Sequence, residues 1–176
     1  MKNVSSYTTR FEMVVALAMV FVAILVRFAP HAPNFSPVLA LALFSGAMFT
    51  DRRLAYGAPF AMILLSDWAL GFYPGVMFVY ASYVVSVWMG SQVSSRRLGP
   101  LVVAGGLSSA VFFVLSNLGV WLMSGLYPVT GAGLVECFVM ALPFLQNTVT
   151  STFVFMGVLF GGYSLCERFV FERAQA

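Results

Sequence analysis

The chain has 176 residues, of which 61% are apolar and only 9% are charged, and its formal net charge is +3. Soluble domains carry roughly 25% charged residues, so this composition excludes a water-exposed globular surface and describes an integral membrane protein. The length allows one bundle of helices and no soluble domain of any size.

Because about 20 apolar residues of helix cross the hydrocarbon core, the apolar runs predict spans over 12–28, 36–50, 54–72, 75–93, 99–124 and 143–166, in a single transmembrane domain over 1–176. The first run follows Lys2 and Arg10 and has features of a signal peptide, but the later runs keep the chain in the membrane whether or not it is cleaved. The second run is short and fits a tilted, broken or partly re-entrant segment. Between the last two spans, residues 132–142 are half apolar. They predict a short helix over the outer mouth, stopped by Pro143 and hinged by Gly125, Gly131 and Gly133, with a moving lid and a static interfacial helix both open.

Alternating six spans puts Lys2, Arg10, Arg52, Arg53, Arg96, Arg97, Arg168 and Arg173 on one side and leaves only Arg27 near the other. By the positive-inside rule that side is the cytoplasm, and both termini lie there. Five or seven spans scatter the basic residues over both faces. The net charge is this loop bias in total, so nucleic acid is not an expected partner, whereas membrane lipid is. Cys137 near the outer face and Cys166 near the inner one are too far apart to bridge. A single histidine and no metal-ligand spacing leave no metal site, and no cofactor is expected.

Small residues recur at helical spacing in Ala42 and Gly46, Gly57 and Ala61, Ser82 with Ser86 and Gly90, Gly106 and Ala110, and Gly157 with Gly161. Such pairs let helices approach closely in lipid, either within the bundle or against a partner.

Polar residues gather at the outer end. The third span carries Asp67 four residues before Gly71, roughly 6 Å from that end at 1.5 Å per residue. The fifth carries Asn117 and Trp121, and the sixth opens on Gln146, Asn147 and Thr148. The outer loops add His31 and Asn34 between prolines, and Tyr127, Thr130 and Glu136. An ionisable group at membrane depth is costly unless it faces a cavity or a partner, so Asp67 either binds ligand or pairs with Arg27. Trp68, Tyr73, Trp121 and Tyr127 fit an interfacial belt singly and an aromatic pocket wall together. The candidate ligand-binding set is His31, Asn34, Asp67, Trp68, Asn117, Trp121, Tyr127, Glu136, Gln146 and Asn147. Depth predicts a pocket lined by Asn34, Asp67, Asn117, Trp121, Tyr127 and Asn147. An outward cavity touching four of these six is the mark of a binding subunit. A solid outer half, with Asp67 and Asn117 turned to separate neighbours, is the mark of a structural one.

The run Arg27-Phe-Ala-Pro-His-Ala-Pro-Asn-Phe-Ser-Pro-Val, Leu-Leu-Ser-Asp-Trp-Ala-Leu-Gly-Phe in the third span, Ser-Asn-Leu-Gly-Val-Trp-Leu at 116–122 and Leu-Pro-Phe-Leu-Gln-Asn-Thr at 142–148 resemble a bacterial family of uncharacterised transport proteins. That family is similar in architecture to the S components, the substrate-binding membrane subunits of energy-coupling factor (ECF) vitamin transporters. The resemblance implies an all-α bundle of six transmembrane helices in the bacterial inner membrane, both ends cytoplasmic, with a vitamin-sized pocket near the outer face. It also implies a transmembrane coupling subunit with ATPases, commonly met through Ala-x-x-x-Ala in the first helix. Ala16, Ala18 and Ala23 do not repeat at that spacing, so a coupled and a solitary transporter both stay open. Solitary cobalamin-handling relatives resemble this chain in placing a cysteine near the outer pocket, the side on which Cys137 lies.

The expected function is capture and uptake of a small water-soluble compound, vitamin-like or a precursor of one. The alternative is a structural or assembly subunit of a larger membrane complex. No P-loop pattern is present, so ATP use by that route needs other chains. Catalysis is not expected, since Asp67, His31 and Glu136 lack a nucleophile-base spacing.

Overall fold

The run from Val38 to Met48 carries no charge and no polar stripe, and a helix that is apolar all round belongs inside. In the computed structural model of the protein, which describes the backbone of residues 2–93 and 97–175 and the side chains of 12–93 and 97–165, this run is the central helix. The described residues form α1 (Lys2–Phe28), α2 (Val38–Met48), α3 (Arg52–Leu70), α4 (Val76–Ser91), α5 (Leu98–Met123) and α6 (Gly131–Gln175), with no strand. Every residue of α2 from Val38 to Gly46 is buried, and all five other helices touch it. At about 16 Å of axis it is only half as long as a hydrocarbon core is thick. By length and apolar composition α5, and α6 as far as Leu165, suffice to cross a membrane.

Two polar clamps fix the direction of the first three helices. Ten residues into α1, buried Glu12 accepts hydrogen bonds from Thr50 N at 3.1 Å and Thr50 Oγ1 at 2.8 Å, in the turn that opens α3. Near its end, Arg27 pairs with Asp67 close to the end of α3. Helices α1 and α3 are therefore parallel, and α2 returns between them. Gly75 at the head of α4 rests on the backbone of Gly119 near the end of α5, and Ser109 of α5 donates to Thr152 Oγ1 of α6 at 3.2 Å. The helices thus alternate in direction, and the connections 29–37, 71–75 and 124–130 share one end, called here the Arg27 end.

Close backbone packing replaces large side chains where α2 meets α4. A Cβ on Gly46 would lie 2.0 Å from Val87 O, and one on Gly90 would lie 2.2 Å from Leu43 O. Of the small-residue sets, Ala42–Gly46 and Ser82–Ser86–Gly90 are therefore spent on each other. Gly57, Gly106, Gly157 and Gly161 have open space where a Cβ would be. Ala16 and Ala23 are buried with Met19 in the same core as α2 and α3, so on α1 these alanines serve packing within the chain.

Hydroxyl side chains are buried inside the bundle while many large apolar ones lie on its exterior. Ser66, Ser82, Ser86, Ser108, Ser109, Ser151 and Thr152 are buried, and all of these hydroxyls but that of Ser108 are satisfied at carbonyls of their own helices, as in Ser66 to Ile63 O and Thr152 to Thr148 O. Ser86 and Ser108 also join α4 to α5 through their hydroxyls. Leu17, Phe21, Leu25, Val102, Leu107, Val154 and Val158 are exposed. An apolar exterior of this extent is the informative departure from a soluble protein.

One expected element is different. Residues 132–142 are not a separate helix stopped by Pro143: α6 runs unbroken from Gly131 to Gln175 through it. Proline removes one backbone donor and opposes the helix locally, but among packed apolar helices that loss is smaller than the cost of ending the helix and exposing several more backbone groups. Gly131 and Gly133 lie inside α6, and Gly133 fits against Pro128 O, where a Cβ would come within 2.1 Å. The segment is the first part of one continuous helix, and Cys137, Met140 and Ala141 in it line a cavity at the Arg27 end. Lys2, Arg10, Arg96, Cys166, Arg168 and Arg173 lie outside the residues whose side chains are described.

Candidate functional site

The Arg27 end is hollow. Two adjoining cavities, of about 230 and 410 Å³, share Asn34, Tyr73, Val79 and Phe112 in their walls. The first reaches down to the start of α2 at Val38 and Leu39; Leu70, Val79 and Phe112 complete its apolar surface, and Arg27, His31, Ser36, Tyr83, Thr148 and Ser151 supply its polar groups. The second lies between the α3–α4 turn, α5 and the first turns of α6, and its walls are mostly aromatic and aliphatic.

Local sequence explains each wall. Phe35 N donates to Ala32 O at 3.0 Å, closing a turn with Pro33 second and Asn34 third. Asn34 has φ +61°. Proline followed by a residue able to adopt positive φ is the pattern of a type II turn, and asparagine tolerates that conformation better than most residues. The turn is pinned to α6, where Asn147 Nδ2 donates to Pro33 O at 3.0 Å and Phe35 packs on Phe155 with ring centroids 5.8 Å apart.

On the opposite side, Gly75 has φ +83° and meets Gly119 backbone to backbone. That contact lets the α3–α4 turn lie directly on α5 and closes the second cavity. Trp121 Nε1 donates to Pro128 O at 3.0 Å, which folds the α5–α6 connection back and brings Tyr127 into the wall. Tyr83 stacks on Phe112, with centroids 6.0 Å apart and planes 20° apart.

The charged pair sits behind the first cavity. Asp67 is 1% exposed, bonded to Arg27 Nη2 through Oδ1 and to the Tyr80 hydroxyl through Oδ2 at 2.9 Å. It does not line either cavity. Arg27 does line the first, with its side chain 18% exposed. Of the two roles open for Asp67, pairing with Arg27 is the one its contacts serve.

His31, Asn34, Asn117 and Tyr127 thus line the cavities, while Trp121 and Asn147 brace the walls from behind. Trp68 is 77% exposed and points away, because adjacent helical residues lie about 100° apart and Asp67 takes the inward direction. Glu136 and Gln146 are exposed and line neither cavity; on α6 the inward positions are those of Cys137, Ala141, Thr148 and Ser151. Three of the six residues expected from depth therefore line the site, fewer than the four that mark a binding subunit. The mark of a structural subunit is not met either. Asn117 donates to Phe113 O of its own helix at 2.7 Å, but the Arg27 end is not solid.

Lining residues outside the candidate set include Arg27, Ser36, Tyr73, Tyr83, Phe112, Ser151 and Cys137. Tyr83 and Ser151 lie within long apolar runs, where only helical phase would have singled them out. Buried Cys137 lies in the wall of the second cavity, its Sγ 3.5 Å from Asn117 O.

Fold and site together define a helical bundle with a hollow end, where a cavity carrying Arg27, His31 and Ser36 adjoins an aromatic one. The chain belongs to the family of unknown function DUF6580, which it matches over residues 7–174. No curated protein and no solved structure matches it.

Proposed function

We propose that the protein is a six-span membrane protein of the bacterial inner membrane with both termini cytoplasmic, and that it captures a small water-soluble, vitamin-like compound from the outside for uptake. The pair of adjoining cavities at the Arg27 end carries this reading. Their combined size suits a metabolite, and a few polar groups among aromatic walls are the usual make-up of a small-molecule site. The apolar exterior and the alternation of helix directions support the membrane reading, with α2 sheltered by its neighbours so that its shortness exposes no backbone to lipid. The basic loop bias makes the Arg27 end the outer one.

On this reading the chain works in the manner of an S component. A coupling subunit with ATPases would not meet α1 through Ala16 and Ala23, which are buried, but has the exposed small-residue faces of α3 and α6 at Gly57 and Ala61 and at Gly157 and Gly161. The same faces favour the second reading, a structural or assembly subunit that binds partner helices. Native mass spectrometry of gently purified protein separates the two. A retained small molecule supports capture, and a stoichiometric protein partner without one supports assembly.

A further inference from the structure

The two cavities differ in chemistry, and the difference bears on what they take. Arg27 gives its Nη2 to Asp67, but its Nε is buried without a hydrogen-bond partner, and so is Ser36 Oγ; both residues line the first cavity. An unmatched buried donor is costly, and a ligand that supplies an acceptor removes the cost. Helix α2 begins at the same place. Its N-cap residue, Pro37, offers no side-chain cap, and Val38 and Leu39 of its first turn line the cavity. The positive end of the α2 dipole therefore adds to the guanidinium field there.

Among the described residues no aspartate or glutamate lines either cavity, and Asp67 is paired behind Arg27. A cation would find no counter-charge. The second cavity, walled by Tyr73, Phe112, Tyr127 and Phe144 and mostly apolar, suits an apolar ring, with Ser116 and Asn117 as its polar groups on α5.

Resting on the capture reading above, we infer that the site takes a small carboxylate with a flat apolar body. The carboxylate lies at Arg27 Nε, Ser36 Oγ and the start of α2, and the body occupies the aromatic cavity. Arginine and hydroxyl donors on a carboxylate form charge-assisted hydrogen bonds, which are stronger than those to a neutral carbonyl.

Three probes with one body separate the chemistries: 3-phenylpropionate, its amide and 3-phenylpropylamine, titrated against the full chain in lipid nanodiscs with empty nanodiscs subtracted. The acid is expected to bind about tenfold tighter than the amide, in keeping with the gain from a charged acceptor, and the amine weakest. Ser36→Ala should weaken the acid several-fold and the amide less. Arg27→Gln combined with Asp67→Asn, which keeps a neutral hydrogen-bonding pair, should bring the acid down to the level of the amide. If that double variant fails to fold, Ser36→Ala decides. Amide or amine binding as tightly as the acid, or acid binding indifferent to Ser36→Ala, overturns the carboxylate assignment and leaves capture standing. Failure of all three probes also overturns it, and a compound retained on the purified protein then shows whether capture survives.

Discussion

Removing the cation of the Arg27–Asp67 pair should be the most damaging single change at the Arg27 end. Arg27→Met leaves the Asp67 carboxylate 1% exposed with only the Tyr80 hydroxyl as donor. Breaking a buried pair from one side costs about 3–5 kcal/mol, because the remaining charge has no compensation. Asp67→Asn should cost less, about 1.5–3 kcal/mol, the usual worth of a hydrogen bond to a charged group. The reason is structural: Arg27 is 18% exposed on a cavity wall where water can solvate it, and Asp67 is not. Arg27→Met combined with Asp67→Leu should recover most of the loss, since neither charge is then buried alone, giving a coupling of at least about 2 kcal/mol in a double-mutant cycle. Equilibrium unfolding of the purified protein in mixed micelles, with sodium dodecyl sulfate as denaturant, measures all four corners. Additive effects, or an Arg27→Met cost below about 1 kcal/mol, would refute the reasoning.

Gly46→Ala should destabilise by about 1–3 kcal/mol, the usual cost of forcing extra volume into a packed contact, while Gly161→Ala on the open face of α6 should be neutral or stabilising; the same unfolding titration compares them. Glu12→Ala should cost about 1–3 kcal/mol by leaving the Thr50 donors unmatched, and Glu12→Gln, which keeps an acceptor, should cost less. In intact cells, with Cys137 and Cys166 replaced by alanine, a membrane-impermeant thiol reagent should label a cysteine at Thr130 and miss one at Ser94; labelling at Ser94 would overturn the topology.

How far the residues announce this structure depends on which property they report. Apolar run length located all six helices to within a few residues at most ends, because burying backbone polar groups in helices is the strongest constraint on such a chain. It failed at 132–142, where Pro143 was given the force it has in water. Depth singled out Asp67 and named Arg27, its partner in the structure, as the alternative to a ligand. It did not tell wall from support. Asn147, Trp121 and Asp67 lie toward the same end as Asn117 and Tyr127, and only helical phase and tertiary contacts separate those that brace the cavity from those that face it. Glu12 was legible by the rule that singled out Asp67, being an acid at the edge of an apolar run, but its role requires knowing that the turn at Thr50 lies against α1. Nothing in the local pattern around Ser36 marks it as buried without a partner; that follows from the fit of the 29–37 connection onto α6.

Ligand retention by the protein itself tests the central claim most directly. Ser116 lines the second cavity and its hydroxyl bonds only weakly to its own helix, at 3.4 Å from Phe113 O, so Ser116→Trp should fill that cavity with little change to the fold. Native mass spectrometry of both forms, gently purified from the cells that make them, should show a small molecule bound stoichiometrically to the wild type and absent from folded Ser116→Trp. A wild type that carries no small molecule but holds a stoichiometric protein partner, equally in both forms, would contradict capture and make the hollow end incidental to assembly.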